Sequence, residues 1–116
     1  MSYLLLILEH PERRRNRSVE ARRSEAERMA SFAEDLRGRG VWRASESLRV
    51  EGIRVSVRGG KRMIVDGPFA EAKEMVGGFF LLDCPTREDA IAIAQECPAT
   101  AWATVEVREV GPCSDD

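Results

Sequence analysis

The residues of this chain best suited to chemistry are a turn carboxylate, a single histidine and a small charged cluster. Asp66 stands in Asp66-Gly67-Pro68-Phe69, where a carboxylate in a rigid turn beside a glycine can act as a general base or orient a substrate. The same residues also satisfy an Asx-type turn, in which the carboxylate accepts backbone hydrogen bonds. Glu71, Lys73 and Glu74 follow at helical spacing. Lys73 can hold an acidic ligand, or it can anchor the loop through an ion pair. His10 is the one histidine of the chain, and an imidazole can shuttle protons near neutral pH. It can equally be a plain loop residue before Pro11. Glu46, Gly67 and Trp102 complete the candidate ligand-binding set, Trp102 as a pocket wall and Gly67 as a backbone device.

Metal and thiol chemistry find little support. Cys84, Cys97 and Cys113 form no CxxC pair, and with one histidine no structural zinc site can be assembled from spacing. The three cysteines read as free thiols of a reducing, cytoplasmic compartment. Seven arginines fall between Arg13 and Arg28, interleaved with Glu12, Glu20, Glu25 and Glu27. With 18 basic against 20 acidic residues and no aromatic residue among those arginines, direct nucleic-acid binding is not expected; a solvated helix face is. The apolar run Leu4 to Leu8 is far short of the roughly 20 residues a membrane span needs.

The elements that must position these residues are legible from periodicity. Tyr3 to Leu8 is continuously apolar, as for a central strand buried on both faces. Ala26, Met29, Ala30, Phe32, Ala33 and Leu36 form one helical stripe, starting at Ser24 or earlier at Ser18 and ending at Gly38 and Gly40. Val41 to Leu48 suits a second strand. Ile53, Val55 and Val57 alternate with polar residues, and Gly59-Gly60 supplies a type I′ turn into Arg62 to Val65, making a hairpin. Phe79 to Leu82 is a further strand. Thr86 and Asp89 start a helix with Ala90, Ile93, Ala94 and Cys97 inside. Ala103, Val105 and Val107 alternate in a last strand. The 116 residues thus make one domain over residues 1–110, with a frayed tail at 111–116. Its order without the hairpin is β-α-β-β-α-β, the ferredoxin-like split βαβ plan with an antiparallel sheet. Helices cover one face, and a second copy is expected on the other. That topology gathers the ends of strands one and two and the starts of the last two strands, with His10, Glu46, Asp66 and Trp102, at one end of the sheet.

The stretch Asp66 to Glu74, followed by Gly77-Gly78-Phe79, resembles the signature of the YCII-related, DGPF-type family. The likeness extends to Glu46-x-Leu48, to Asp83 through Pro98, and to Val105-Glu106-Val107-Arg108. Two departures are Ala101-Trp102-Ala103, where a glycine-containing turn is usual, and Glu109, where proline is common. The resemblance implies a dimeric α+β barrel and members of largely uncharacterised activity. Related proteins carry a proposed His–Asp pair, but His10 ends the first strand instead of lying in the following helix and does not match it. Some DGPF-type members are associated with extracytoplasmic-function sigma factors, which implies a sigma factor as protein partner.

These readings give an expected function: a dimeric module that binds a small molecule or regulates a partner, without cofactor. The alternative is a small enzyme using Asp66 as general acid/base, with Glu46, Lys73 or His10 as helpers, in a pocket of about 300 Å³ or more. A third reading, an oxygenase-like barrel with His10 ligating haem, has no sequence feature in its favour.

Overall fold

The structure, a computed structural model, describes residues 1–67 and 73–115. Among the described residues six strands and three α-helices run in the order β1 (Ser2–Glu9), α1 (Pro11–Arg15), α2 (Val19–Gly38), β2 (Trp42–Ser47), β3 (Ile53–Arg58), β4 (Lys61–Asp66), β5 (Met75–Asp83), α3 (Arg87–Glu96) and β6 (Thr104–Glu109). β2, β5, β1 and β6 form one sheet in that order, every neighbour antiparallel, while β3 and β4 pair only with each other. This is the α+β ferredoxin-like arrangement with an inserted hairpin.

Along β1 burial alternates strictly: Tyr3, Leu5, Ile7 and Glu9 are buried and the residues between them half-buried. Within the single chain both long helices lie on one side of the sheet, so the chain's own elements cover one face of β1. Phe32 and Leu36 of α2, Ile93 of α3, and Phe80 and Leu82 of β5 close the core over Tyr3, Leu5 and Ile7. Phe32 meets Phe80 edge to face at 5.2 Å between centroids. The opposite face presents Leu4, Leu6 and Leu8 with their register partners Leu81, Phe79 and Val76.

Local chemistry explains the boundaries. Ser18, the earlier of the two possible starts, caps α2 by accepting a hydrogen bond from Ala21 N at 3.0 Å. Thr86 and Asp89 form a reciprocal capping box at the start of α3. Gly59 and Gly60 both have positive φ, +57° and +76°, as the two-residue turn between β3 and β4 requires. The arginine-rich link after β1 folds into α1, opened by Pro11 at its first turn.

Candidate functional site

The site grows from one residue that continues the inward phase of β1. Glu9 is 5% exposed and faces the helices in step with Leu5 and Ile7. A buried carboxylate needs partners, and α1 brings them within one turn. Arg13 Nη1 donates to Glu9 Oε2 at 3.1 Å, and Arg14 Nε lies 3.4 Å from Oε1. Arg13 also pairs with Glu25 of α2, which accepts from Arg17 Nη1 at 3.0 Å. The arginines expected to be a solvated helix face are thus, at positions 13, 14 and 17, a packed ion-pair network.

Electrostatics follow from this packing. Burial pushes the Glu25 carboxyl up, but hydrogen bonds from Arg13 and Arg17 outweigh it and hold the group below its ordinary value. Burial also lowers Arg13, and its bonds to Glu25 and Glu9 more than restore it. Arg14 goes the other way. Burial pulls its guanidinium below the usual arginine value, and Glu9 only partly offsets that.

Arg14 has a second task. It donates to the main-chain oxygens of Leu48 and Gly77 and, at 2.7 Å, to Ser47 Oγ. It therefore clamps the end of β2 to the start of β5, where the hairpin leaves the sheet. Gly77 is the extra residue of a bulge, since Ile7 pairs with Gly78 and Leu8 with Val76. A Cβ at Gly77 would overlap Glu9 Oε1, and one at Gly78 would sit 2.9 Å from the Glu46 carbonyl. The paired glycines are there so that the carboxylate and β2 can approach.

Between this network and α2 the sheet and helix part. Ala26, Ala30 and Ala33 are too small to fill the gap opposite Gly77 and Gly78, leaving a cavity of about 400 Å³. Met29, Ala30, Phe80, Ile7 and Ala99 make its apolar side. Glu9, Arg14, Arg17, Arg22, Glu25, Ser45 and Ser47 make the polar side, and Trp102 also borders it. This explains why Ala26 and Ala30, on the helix stripe, are exposed. Arg22 makes no ion pair or hydrogen bond among the described residues. The Trp102 ring is flanked by Arg28 at 5.2 Å and Arg13 at 5.5 Å, within cation–π reach.

The residues singled out in the sequence distribute as follows. Glu46 and Trp102 border the cavity. His10, Lys73 and Trp102 border a shallower, open depression of about 510 Å³ on the other side of Trp102. His10 caps α1, its Nδ1 accepting from Glu12 N at 3.0 Å. Asp66 ends β4 on the projecting hairpin, exposed, and borders neither space. Gly67 closes the hairpin base by donating to the Gly52 carbonyl at 2.6 Å. Glu71 lies outside the described residues, as do Pro68, Phe69, Ala70 and Ala72.

Sequence reasoning missed Glu9, Arg13, Arg14, Arg17 and Glu25. The available signal was period 2: an acidic residue in phase with Tyr3, Leu5 and Ile7 must turn inward, and arginines follow at once. Among the described residues no group of acidic, histidine and cysteine side chains is arranged to hold a metal ion, and no helix is long and apolar enough to cross a membrane. Cys84 and Cys97 are buried, and burial pushes both thiols up, away from nucleophilic use.

Comparison with known proteins agrees with this picture at the level of family. The model of the YCII-related domain matches residues 1–114. An uncharacterized protein of Rhizobium meliloti (strain 1021) is 43% identical over 37 residues, which is 32% of this chain and 30% of that protein. The match thus spans under a third of that relative's length.

Proposed function

The chain belongs to the YCII-related domain family, and on that premise we propose that it is a homodimeric module binding a small anion with an apolar body. The observation that carries the reading is the two-sided cavity of about 400 Å³. A volume of this order suits a small-molecule ligand. Its apolar wall of Met29, Ala30 and Phe80 suits a hydrocarbon or aryl group. Its lining sets Arg14, Arg17 and Arg22 against Glu9, Glu25 and Glu46, and Arg14 and Arg17 are already engaged with Glu9 and Glu25, so Arg22 is the cation placed to take a ligand's negative charge. A carboxylate fits the planar fork of a guanidinium, and Arg22 carries no competing partner among the described residues. No general base is needed for this role, and Asp66 has none in it. In the same reading the homodimer works in the cytoplasm, and the sigma factor implied by the family resemblance is the partner whose engagement ligand occupancy would change.

Fluorescence of Trp102, isolated in a Trp42→Phe background, tests the proposal. The probes are 4-phenylbutyrate, shorter and longer aryl and alkyl carboxylates, and the neutral amide of each. The expected result is saturable quenching by at least one carboxylate and at least tenfold weaker binding of its amide. Arg22→Gln should weaken the carboxylate about tenfold or more, as loss of a charge-assisted hydrogen bond worth about 1.5–3 kcal/mol requires. Equal binding of acid and amide, or binding indifferent to Arg22→Gln, would overturn it.

A further inference from the structure

The largest physical anomaly of the molecule is the hairpin β3–β4. It leaves the sheet after Ser47, the last residue of the outer strand β2, and returns at Met75. Six of its apolar side chains are exposed: Ile53, Val55, Val57 and Ile64 at 60–65%, Val65 at 45% and Met63 at 41%. They lie on both faces, since Val55 pairs with Ile64 while Arg54 pairs with Val65 and Ser56 with Met63. Every residue of β4 is exposed. The chain's radius of gyration, 16.1 Å, exceeds the roughly 13 Å of a compact domain this long. An isolated two-stranded hairpin is marginally stable at best in water, so an arm this apolar needs a surface to lie against.

We propose that the arm docks on a second copy of this chain, clasping it beside the uncovered face of the sheet. Charge favours that occupant. Residues 51–66 carry Arg54, Arg58, Lys61 and Arg62 against Glu51 and Asp66, a net +2, in a chain of net −2. The body that would receive the arm is therefore acidic, at −4. Area favours it as well. A face four strands wide and six residues long measures about 19 by 20 Å at ordinary strand spacings. One face of the arm adds about 10 by 20 Å, so each exchanged arm enlarges an interface between the faces by about half, and the two together about double it. The sheet face alone is at the small end for a stable dimer. Its apolar centre is Leu4, Leu6, Leu8, Phe79 and Leu81, and the arm is rooted at the end of the edge strand β2 of that same sheet. Arg14 fixes the root of the arm by holding Ser47, Leu48 and Gly77 together, which sets the direction in which it projects.

The inference rests on the homodimer reading but can fail separately from it. The test places a benzophenone side chain at position 64 in tagged protein, mixes it with untagged protein, and irradiates. In parallel, light scattering after gel filtration gives the dimer dissociation constant of the wild type and of Val55→Asp/Ile64→Asp. Both substituted residues are exposed, so circular dichroism of the variant should match the wild type. The expected result is a cross-link between tagged and untagged chains and at least tenfold weaker dimerisation of the variant. A dimer that keeps its affinity in the variant and cross-links only within a chain would overturn the arm's role and leave the dimer standing. A monomeric wild type at concentrations up to the millimolar range would overturn both.

Discussion

Replacing Glu9 by glutamine keeps the side chain's size and an acceptor oxygen but removes the charge that α1 is built around. The Glu9 side chain is 4% exposed, against 13% for Arg14 and 30% for Arg13. Removing one partner of a fully buried ion pair costs about 3–5 kcal/mol. Arg13 keeps Glu25 and partial solvent, and Arg14 keeps three other oxygen acceptors, so the loss here is about 2–3 kcal/mol. At about 2.1 cal/mol/K of unfolding entropy per residue, that lowers the Tm of Glu9→Gln by about 10 °C. The assay is urea and thermal unfolding followed by circular dichroism at one fixed protein concentration, because dimerisation would make Tm concentration-dependent. The matched control is Glu34→Gln, whose carboxylate is 71% exposed and pairs with Arg37 on the surface; it should cost under about 0.5 kcal/mol. Adding Arg14→Met to Glu9→Gln should cost less than the two single changes together, because the arginine is no longer holding a buried charge. If Glu9→Gln proves as mild as Glu34→Gln, the inward carboxylate does not organise this end of the sheet.

Three further outcomes follow from the same geometry. Glu25 sits below its ordinary value in the fold, so its contribution is complete above about pH 4.5 and is lost as pH falls through the lowered folded value; the stability gap between wild type and Glu25→Gln should close in acid, as read by urea midpoints at pH 7, 5 and 3. Gly78→Ala brings a Cβ to 2.9 Å from a main-chain carbonyl while Gly52→Ala meets open space, so the first should cost about 1–3 kcal/mol and the second little, in paired unfolding curves. Cys113 is exposed while Cys84 and Cys97 are buried with raised thiol values, so mass spectrometry after iodoacetamide should show one fast site in native protein and three after denaturation.

How far the sequence reached can be argued residue by residue. The Gly59-Gly60 turn, the Thr86–Asp89 box and the alternation in β6 are local signals, and local backbone chemistry produced the elements expected. The order of those elements then limited the sheet to the ferredoxin-like pattern. What was not legible depended on side-chain volume and on distances across the chain. Ala26 and Ala30 fit a core stripe by spacing, yet they border empty space because Gly77 and Gly78 lie opposite. Asp66 was placed at the gathering end of the sheet by topology, but the inserted hairpin carries it outward on the arm. Glu9 closes an apolar strand and precedes His10 and Pro11, where a loop begins, so its position alone does not mark it as a core residue. Its inward phase was present in the sequence all the same.

The most direct test of the central claim, that the gap between α2 and the sheet holds an apolar anion, is a crystal structure grown with the tightest aryl carboxylate of the fluorescence series. The account predicts its carboxylate on Arg22 and Arg17 and its ring between Met29, Ala30 and Phe80, beside Trp102. A probe seated instead on the arm or on the uncovered sheet face, with the space over Gly77 and Gly78 unchanged, would contradict it.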